Sequence, residues 1–208
     1  MKKISSLLVI LVVFSFSIVL TSCGGSGATS QNYQDPSYQN YTIKKVAVLP
    51  IRNTYMNIGE AQNVNRFFIT ELTRKVKGYE VVGPEDAIAK LNQDSLVEKY
   101  YEYLVKYSTT GIPNRELIKQ IGTSLNVDGI VQGEIYNITK VDGRYGGNKG
   151  ETKCSMRYSL LSANDGKVLW ETTAEGYKTT TTTLEDAPPL MDVIMECMTK
   201  IIESVPSK

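Results

Sequence analysis

Apolar and polar positions change period several times along the chain, and each change marks an element. Residues 44–50 (KKVAVLP) form a short Val-rich run closed by proline, the pattern of a buried strand. Over 60–76, Ala61, Val64, Phe68, Leu72 and Val76 recur at helical spacing and predict an amphipathic helix that stops at Gly78. A second short strand is predicted at 79–82 (YEVV), and Pro84 suits the first turn of a helix over 84–91. Further helices are predicted over 94–107 and, with Asn114 as cap, over 115–125. Beyond Gly129 the period falls to two. Residues 129–139 (GIVQGEIYNIT) start apolar and become alternating, as in a strand leaving the core for an edge. In 152–161, Thr152, Cys154, Met156, Tyr158 and Leu160 alternate with polar residues, the period of a half-buried strand. Asn164-Asp165-Gly166 signals a turn, and 167–173 (KVLWETT) returns as the partner strand. A last helix over 190–205 aligns Leu190, Ile194, Cys197, Ile201 and Val205. The order β-α-β-α-α-α-β-β-β-α predicts an α/β (α+β) domain, a single mixed β-sheet flanked by helices.

The first 22 residues do not belong to that domain. Lys2 and Lys3 precede an apolar run over 4–20 that is broken only by Ser5, Ser6, Ser15 and Ser17, and small residues lead to Cys23. This is the three-part layout of a secretory signal peptide, and 17 apolar-run residues is short for a bilayer span of about 20. Leu20-Thr21-Ser22-Cys23 resembles the bacterial lipobox. That resemblance implies that Cys23 becomes the mature N-terminus, carrying diacylglycerol and an N-acyl chain as a membrane anchor, with no other cofactor. Gly24 and Gly25 follow, with no Asp to retain the chain in an inner membrane, so in a Gram-negative cell the outer membrane, facing the periplasm, is favoured. Residues 24–42 contain no Val, Ile, Leu, Phe or Met, too little apolar surface to offset ordering entropy. They read as a flexible tether in which only Tyr33, Tyr38 and Tyr41 offer a large side chain for docking. The divisions are thus 1–22 signal peptide, 23–42 lipidated tether and 43–208 folded domain.

Composition narrows the chemistry. The chain has no His, which removes Ser-His-Asp and Cys-His nucleophiles and HExxH metal sites. Three Cys with no CxxC pair are too few for a structural zinc site. With 23 basic and 22 acidic residues there is no general drive towards nucleic acid, and without Lys2 and Lys3 the mature balance turns slightly acidic. Glu134, Glu151, Asp165 and Glu171 show no spacing that selects an acid pair for glycoside hydrolysis. The Gly-rich 143–150 stretch matches neither phosphate-loop pattern. A binding module, and not an enzyme, is the expectation. Thirteen tyrosines suit surfaces that meet other proteins.

Three stretches, VAVLPIRN (46–53), LNVDGIVQGEI (125–135) and YSLLSANDGKVLWE (158–171), together resemble the CsgG-like superfamily of envelope lipoproteins, which includes the PelC and LpoB types. The resemblance spans most of 43–203. It implies a non-catalytic module that self-assembles into a ring in an export or secretion apparatus, or grips an envelope partner, or acts as a monomeric activator of a peptidoglycan synthase. The secretion channel's long amphipathic hairpins are missing from the short 139–151 connection, so no membrane barrel is expected. By the same resemblance Asn53, Tyr55 and Asn57, in the loop after the first strand, are pore or partner contacts; otherwise they form an ordinary strand-to-helix loop. On the 94–107 helix, Tyr103 and Tyr107 are either core residues with wet hydroxyls or interface contacts. Cys154 and Cys197 fall on core faces and either pair in an oxidising compartment or stay as buried thiols.

Overall fold

The computed structural model describes residues 25–144 and 147–206, so the expected signal peptide over 1–22 and Cys23 lie outside the described residues. Strands β1 (Ser26–Gln34), β2 (Lys45–Val48), β3 (Glu80–Val82), β4 (Gly129–Val141), β5 (Glu151–Ser162) and β6 (Val168–Thr179) form one sheet in the order β1-β6-β5-β4-β2-β3. Helices are α1 (Ile58–Lys75), α2 (Pro84–Gln93), α3 (Val97–Thr110), α4 (Arg115–Leu125) and α5 (Leu190–Ser204). β2 runs parallel to β3 and β4, and the remaining pairs are antiparallel, so the sheet is mixed. The three stretches over 46–53, 125–135 and 158–171 lie side by side in it as β2, the start of β4, and the β5–β6 turn. β4 is central where β2 flanks it, as far as Val131 and an isolated bridge between Arg52 and Glu134, and becomes one-sided beyond. No helix among the described residues is long and apolar enough to cross a membrane.

Alternation in β5 sends Cys154, Met156, Tyr158 and Leu160 to one face, where α1 and α5 cover them with Phe68, Leu72, Ile194 and Ile201. Tyr158 stacks on Phe68 with ring centroids 4.3 Å apart. Gly133, the cross-strand partner of Tyr158, makes this possible: a Cβ there would lie 2.5 Å from the tyrosine ring. The opposite face packs Ala47, Leu49, Ile130 and Leu161 against α2, α3 and α4. Helix ends follow local chemistry. Asn114 accepts a hydrogen bond from Leu117 N at 3.2 Å, and Gly111 closes α3 at φ +65°. α3 starts later than the 94–107 pattern predicts, because Leu96 N bonds back to Leu91 O and Ser95 takes φ +56°.

The largest departure lies in 24–42. Residues 26–34, expected in a flexible tether, form β1, which pairs with β6 along its whole length from Ser26↔Lys178 to Gln34↔Trp170. Apolar composition is a poor guide to such a strand, since its ladder satisfies the backbone while its side chains stay mostly exposed. Two side chains finish the job. Tyr38 is fully buried in the core under α1 and α5, and Asp35, 5% exposed, clasps the end of β1. Asp35 accepts from Ser37 N at 2.8 Å, Tyr33 Oη at 2.9 Å and Lys167 Nζ at 2.9 Å. Hydrogen bonds from Ser37, and then from Lys167, hold its carboxyl well below the usual carboxylate range.

Cys154 and Cys197 are both buried free thiols and not a disulfide. Cys197 Sγ instead approaches the Cys154 carbonyl at 3.6 Å, and the contact between the two thiols, aided by burial, pushes the Cys154 pKa up.

A lowered folded-state pKa at Asp35 means that its contribution is full above the ordinary carboxylate value of about 3.9 and is lost as pH falls through the folded value. Acidification below about pH 4, or Asp35→Asn, is therefore expected to cut hydrogen-exchange protection of Ser26–Gln34 by about tenfold or more while β5 stays protected. Unchanged protection in Asp35→Asn would show that the ladder holds without the clasp.

Candidate functional site

The turn from β2 into α1 borders an open concavity of the domain. Asn53, Tyr55 and Asn57 were the loop residues singled out by sequence, and the structure gives each a local task. Asn53 Oδ1 accepts from Met56 N at 2.9 Å and Tyr55 N at 3.3 Å, folding the loop on itself. Asn57 caps α1 through a reciprocal box: its Oδ1 accepts from Glu60 N, and Glu60 Oε2 accepts from Asn57 N, both at 3.0 Å. Tyr55 Oη donates to the Tyr136 carbonyl at 3.4 Å. About two turns into α1, buried Asn65 accepts from Ile51 N at 3.1 Å and ties strand end to helix.

With the amide oxygens committed, this loop is one wall of an open groove of about 730 Å³ between α1 and α2. Asn53, Met56, Asn57 and Ile58 lie on the loop side, Ile88 and Asn92 on α2, and Val97 and Tyr101 on α3. The lining is mainly apolar, and Ile58 and Tyr101 stand 80% and 53% exposed at its margin. Asn53 and Asn57 thus border one site, while Tyr55 faces a smaller depression with Arg52, Glu134 and Tyr136. Apolar walls with a few amides accommodate another polypeptide's side chains better than they support proton transfer.

Tyr103 and Tyr107 go elsewhere. They are 5% and 4% exposed beneath α3, so they are not surface contacts of this chain. Their hydroxyls enter a polar seam between α3 and the sheet instead of reaching solvent. Tyr103 Oη pairs with the Gln132 carboxamide at 3.3 Å, and Tyr107 Oη donates to Glu171 Oε2 at 2.8 Å, which also accepts from Ser159 Oγ at 2.7 Å. Burial, and then the Glu171 charge, push the Tyr107 phenol up to about 12. Next to this lies Glu134, which accepts from Arg157 at 2.8 Å and pairs with Arg52. The Arg157 guanidinium sits 5.0 Å from the Tyr107 ring centroid. Burial works against the Arg157 charge, but the hydrogen bond to Glu134 and the charge of Glu171 outweigh it and hold its pKa above the ordinary value. Glu134 and Glu171 therefore have structural partners. A helical stripe cannot distinguish a tyrosine over leucine from one over a glutamine or a glutamate, and the signal was the polar pair Gln132 and Glu134 within the buried first half of β4.

No protein-family model matches the sequence, and no curated protein matches it. Among solved structures, the chain is similar to a PelC dodecamer from Paraburkholderia phytofirmans at 14% identity and TM-score 0.49, covering 88% of this chain and 99% of that one. It is similar to the lipoprotein GNA1162 from Neisseria meningitidis at 14% identity and TM-score 0.45, with 77% and 99% covered. It is also similar to the LpoB C-terminal domain from Salmonella enterica at 13% identity and TM-score 0.38, with 65% and 83% covered. At superpositions and identities this low, no function transfers from them.

Removing Glu134 would leave Arg52 and Arg157 facing one another, so Glu134→Ala is expected to cost about 3 kcal/mol in denaturant unfolding. Tyr107→Phe is expected to cost about 1.5 kcal/mol and to leave the oligomeric state, read by light scattering, unchanged. Altered assembly with unchanged stability would return Tyr107 to an interface.

Proposed function

We propose that this chain is a lipid-anchored binding module of the bacterial outer membrane, facing the periplasm and serving an export, secretion or envelope-assembly apparatus. The observation that carries the reading is the open apolar groove between α1 and α2, which takes an apolar segment of an envelope protein. Its loop wall is fixed by side-chain oxygens, so little conformational entropy remains to be lost on binding. The lipobox-like Leu20-Thr21-Ser22-Cys23 supports attachment to a membrane through acyl chains, and the resemblance of the 46–53, 125–135 and 158–171 stretches to CsgG-like lipoproteins supports the setting.

Self-association is a second reading, favoured by the outer edge of β1. That edge is nine residues long, exposed for most of its length, and carries no Lys or Pro of the kind that blocks edge-to-edge pairing. Groove and edge lie on different elements, so one chain is able to use both.

Ile58→Glu with Tyr101→Glu is expected to abolish capture of an envelope partner in chemical cross-linking of intact cells. The melting temperature is expected to change little, because both side chains are largely exposed. Cross-links unchanged by these substitutions would remove the groove from the account. Light scattering on the detergent-solubilised full chain separates the two readings: a closed ring supports self-association, and a monomer supports the partner-binding adaptor.

A further inference from the structure

The described chain begins at Gly25, and Gly25 is already held in the sheet. Its N donates to Thr179 Oγ1 at 2.8 Å, and Thr179 N donates to the Gly25 carbonyl at 2.8 Å. Cys23 precedes it by two residues, a reach of about 7 Å at full extension. This inference rests on the lipid anchor at Cys23 proposed above. Given that anchor, the end of the domain formed by the start of β1, the end of β6 and the β4–β5 connection has no slack to stand away from the lipid.

That end is built as a firm pad. The 142–144 and 147–150 segments are tied to the 180–189 loop: Gly143 N donates to Glu185 O at 3.0 Å, Thr180 N to Gly150 O at 2.9 Å, and Ala187 N to Asp142 Oδ1 at 2.9 Å. They approach so closely that a Cβ on Gly143 would lie 2.6 Å from the Thr183 carbonyl oxygen. Around this pad stand three exposed apolar or aromatic side chains: Leu184 at 65%, Val141 at 47% and Tyr177 at 42%. The Tyr177 ring lies in contact range of the Cβ position of Gly25, 3.8 Å away, beside the point where the anchor leaves. An exposed Leu at the crest of a tied loop and a Tyr beside a lipid attachment suit the boundary of acyl chains and headgroups. The 140–153 and 178–192 segments carry as many acidic as basic side chains, so the seat is apolar and not polybasic.

We propose that this pad is a membrane seat: Leu184, Val141 and Tyr177 dip into the lipid interface, and the domain stands directly on the bilayer that holds Cys23. The acyl chains supply the attachment, and the three side chains fix the orientation of the domain on the bilayer.

The test uses the full lipidated chain in phosphatidylethanolamine vesicles, with and without phosphatidylglycerol. Leu184→Cys is labelled with an environment-sensitive fluorophore, and Asn164→Cys, exposed in the turn before β6 at the opposite end, is the control. Cys154 and Cys197 are buried and stay unlabelled in the folded chain. The expected result is a blue-shifted Leu184→Cys signal that loses at least half its intensity to spin-labelled lipid, a water-like Asn164→Cys signal, and the same outcome in both vesicle types. Vesicle-bound chain with both labels water-like, or insertion only when anionic lipid is present, would overturn the seat and leave the anchor standing. Chain whose mass shows no acyl groups and which fails to float with vesicles would overturn both.

Discussion

The pairing of β1 with β6 is the interaction on which the placement of everything else depends. Without it the chain between Cys23 and the first core residue would be a polar tether, and the domain would sample a wide shell above any membrane. With it, sheet hydrogen bonds run to within two residues of Cys23. The strand adds little apolar burial of its own. It is held by its ladder, by fully buried Tyr38 at its far end and by the Asp35 clasp to Ser37 and Lys167. Those two side chains convert a composition that suggests disorder into an ordered edge.

The two faces of the sheet divide the work differently. The face under α1 and α5 is dry and densely packed, with Gly133 giving up its side chain so that Tyr158 can stack on Phe68. The face under α2, α3 and α4 is dry at one end and turns into a seam of Gln132, Glu134, Arg157 and Glu171 beneath Tyr103 and Tyr107. Buried ion pairs of this kind contribute little net stability against an apolar alternative. The seam does specify which residues α3 lies over, because a slip of that helix would take Tyr107 away from Glu171 and the Arg157 guanidinium, and Tyr103 away from Gln132. Holding α3 in register also holds Val97 and Tyr101 at the groove, which links the seam to the proposed binding surface.

Much of this was legible from periodicity. β5 could be read residue by residue because both of its neighbours are strands and one face is fully covered, so alternation survives intact. The start of α4 could be read from Asn114, whose side chain has one strong local use at a cap. The predicted single mixed sheet with flanking helices is the architecture observed, with one more strand. What stayed hidden depends on distant partners. β1 is stabilised by a strand more than 130 residues away, and no local pattern encodes that. Tyr103 and Tyr107 follow an ordinary amphipathic stripe, and only the buried Gln132 carboxamide and the half-buried Glu171 carboxylate across from them give their hydroxyls a purpose. The loop residues Asn53 and Asn57 do border the groove, but their oxygens fold the loop, a use that the residue types alone leave open.

An ordered strand up to the proposed anchor at Cys23 and a tethered domain differ in one measurable length. Neutron reflectometry of the full lipidated chain on a supported phosphatidylethanolamine bilayer reads the thickness of water between headgroups and protein. If β1 is part of the sheet, protein density is expected to begin at the headgroups, with a gap no larger than the roughly 7 Å reach of two residues. A hydrated layer near 25 Å, about the mean span of a 19-residue flexible linker, would contradict the account.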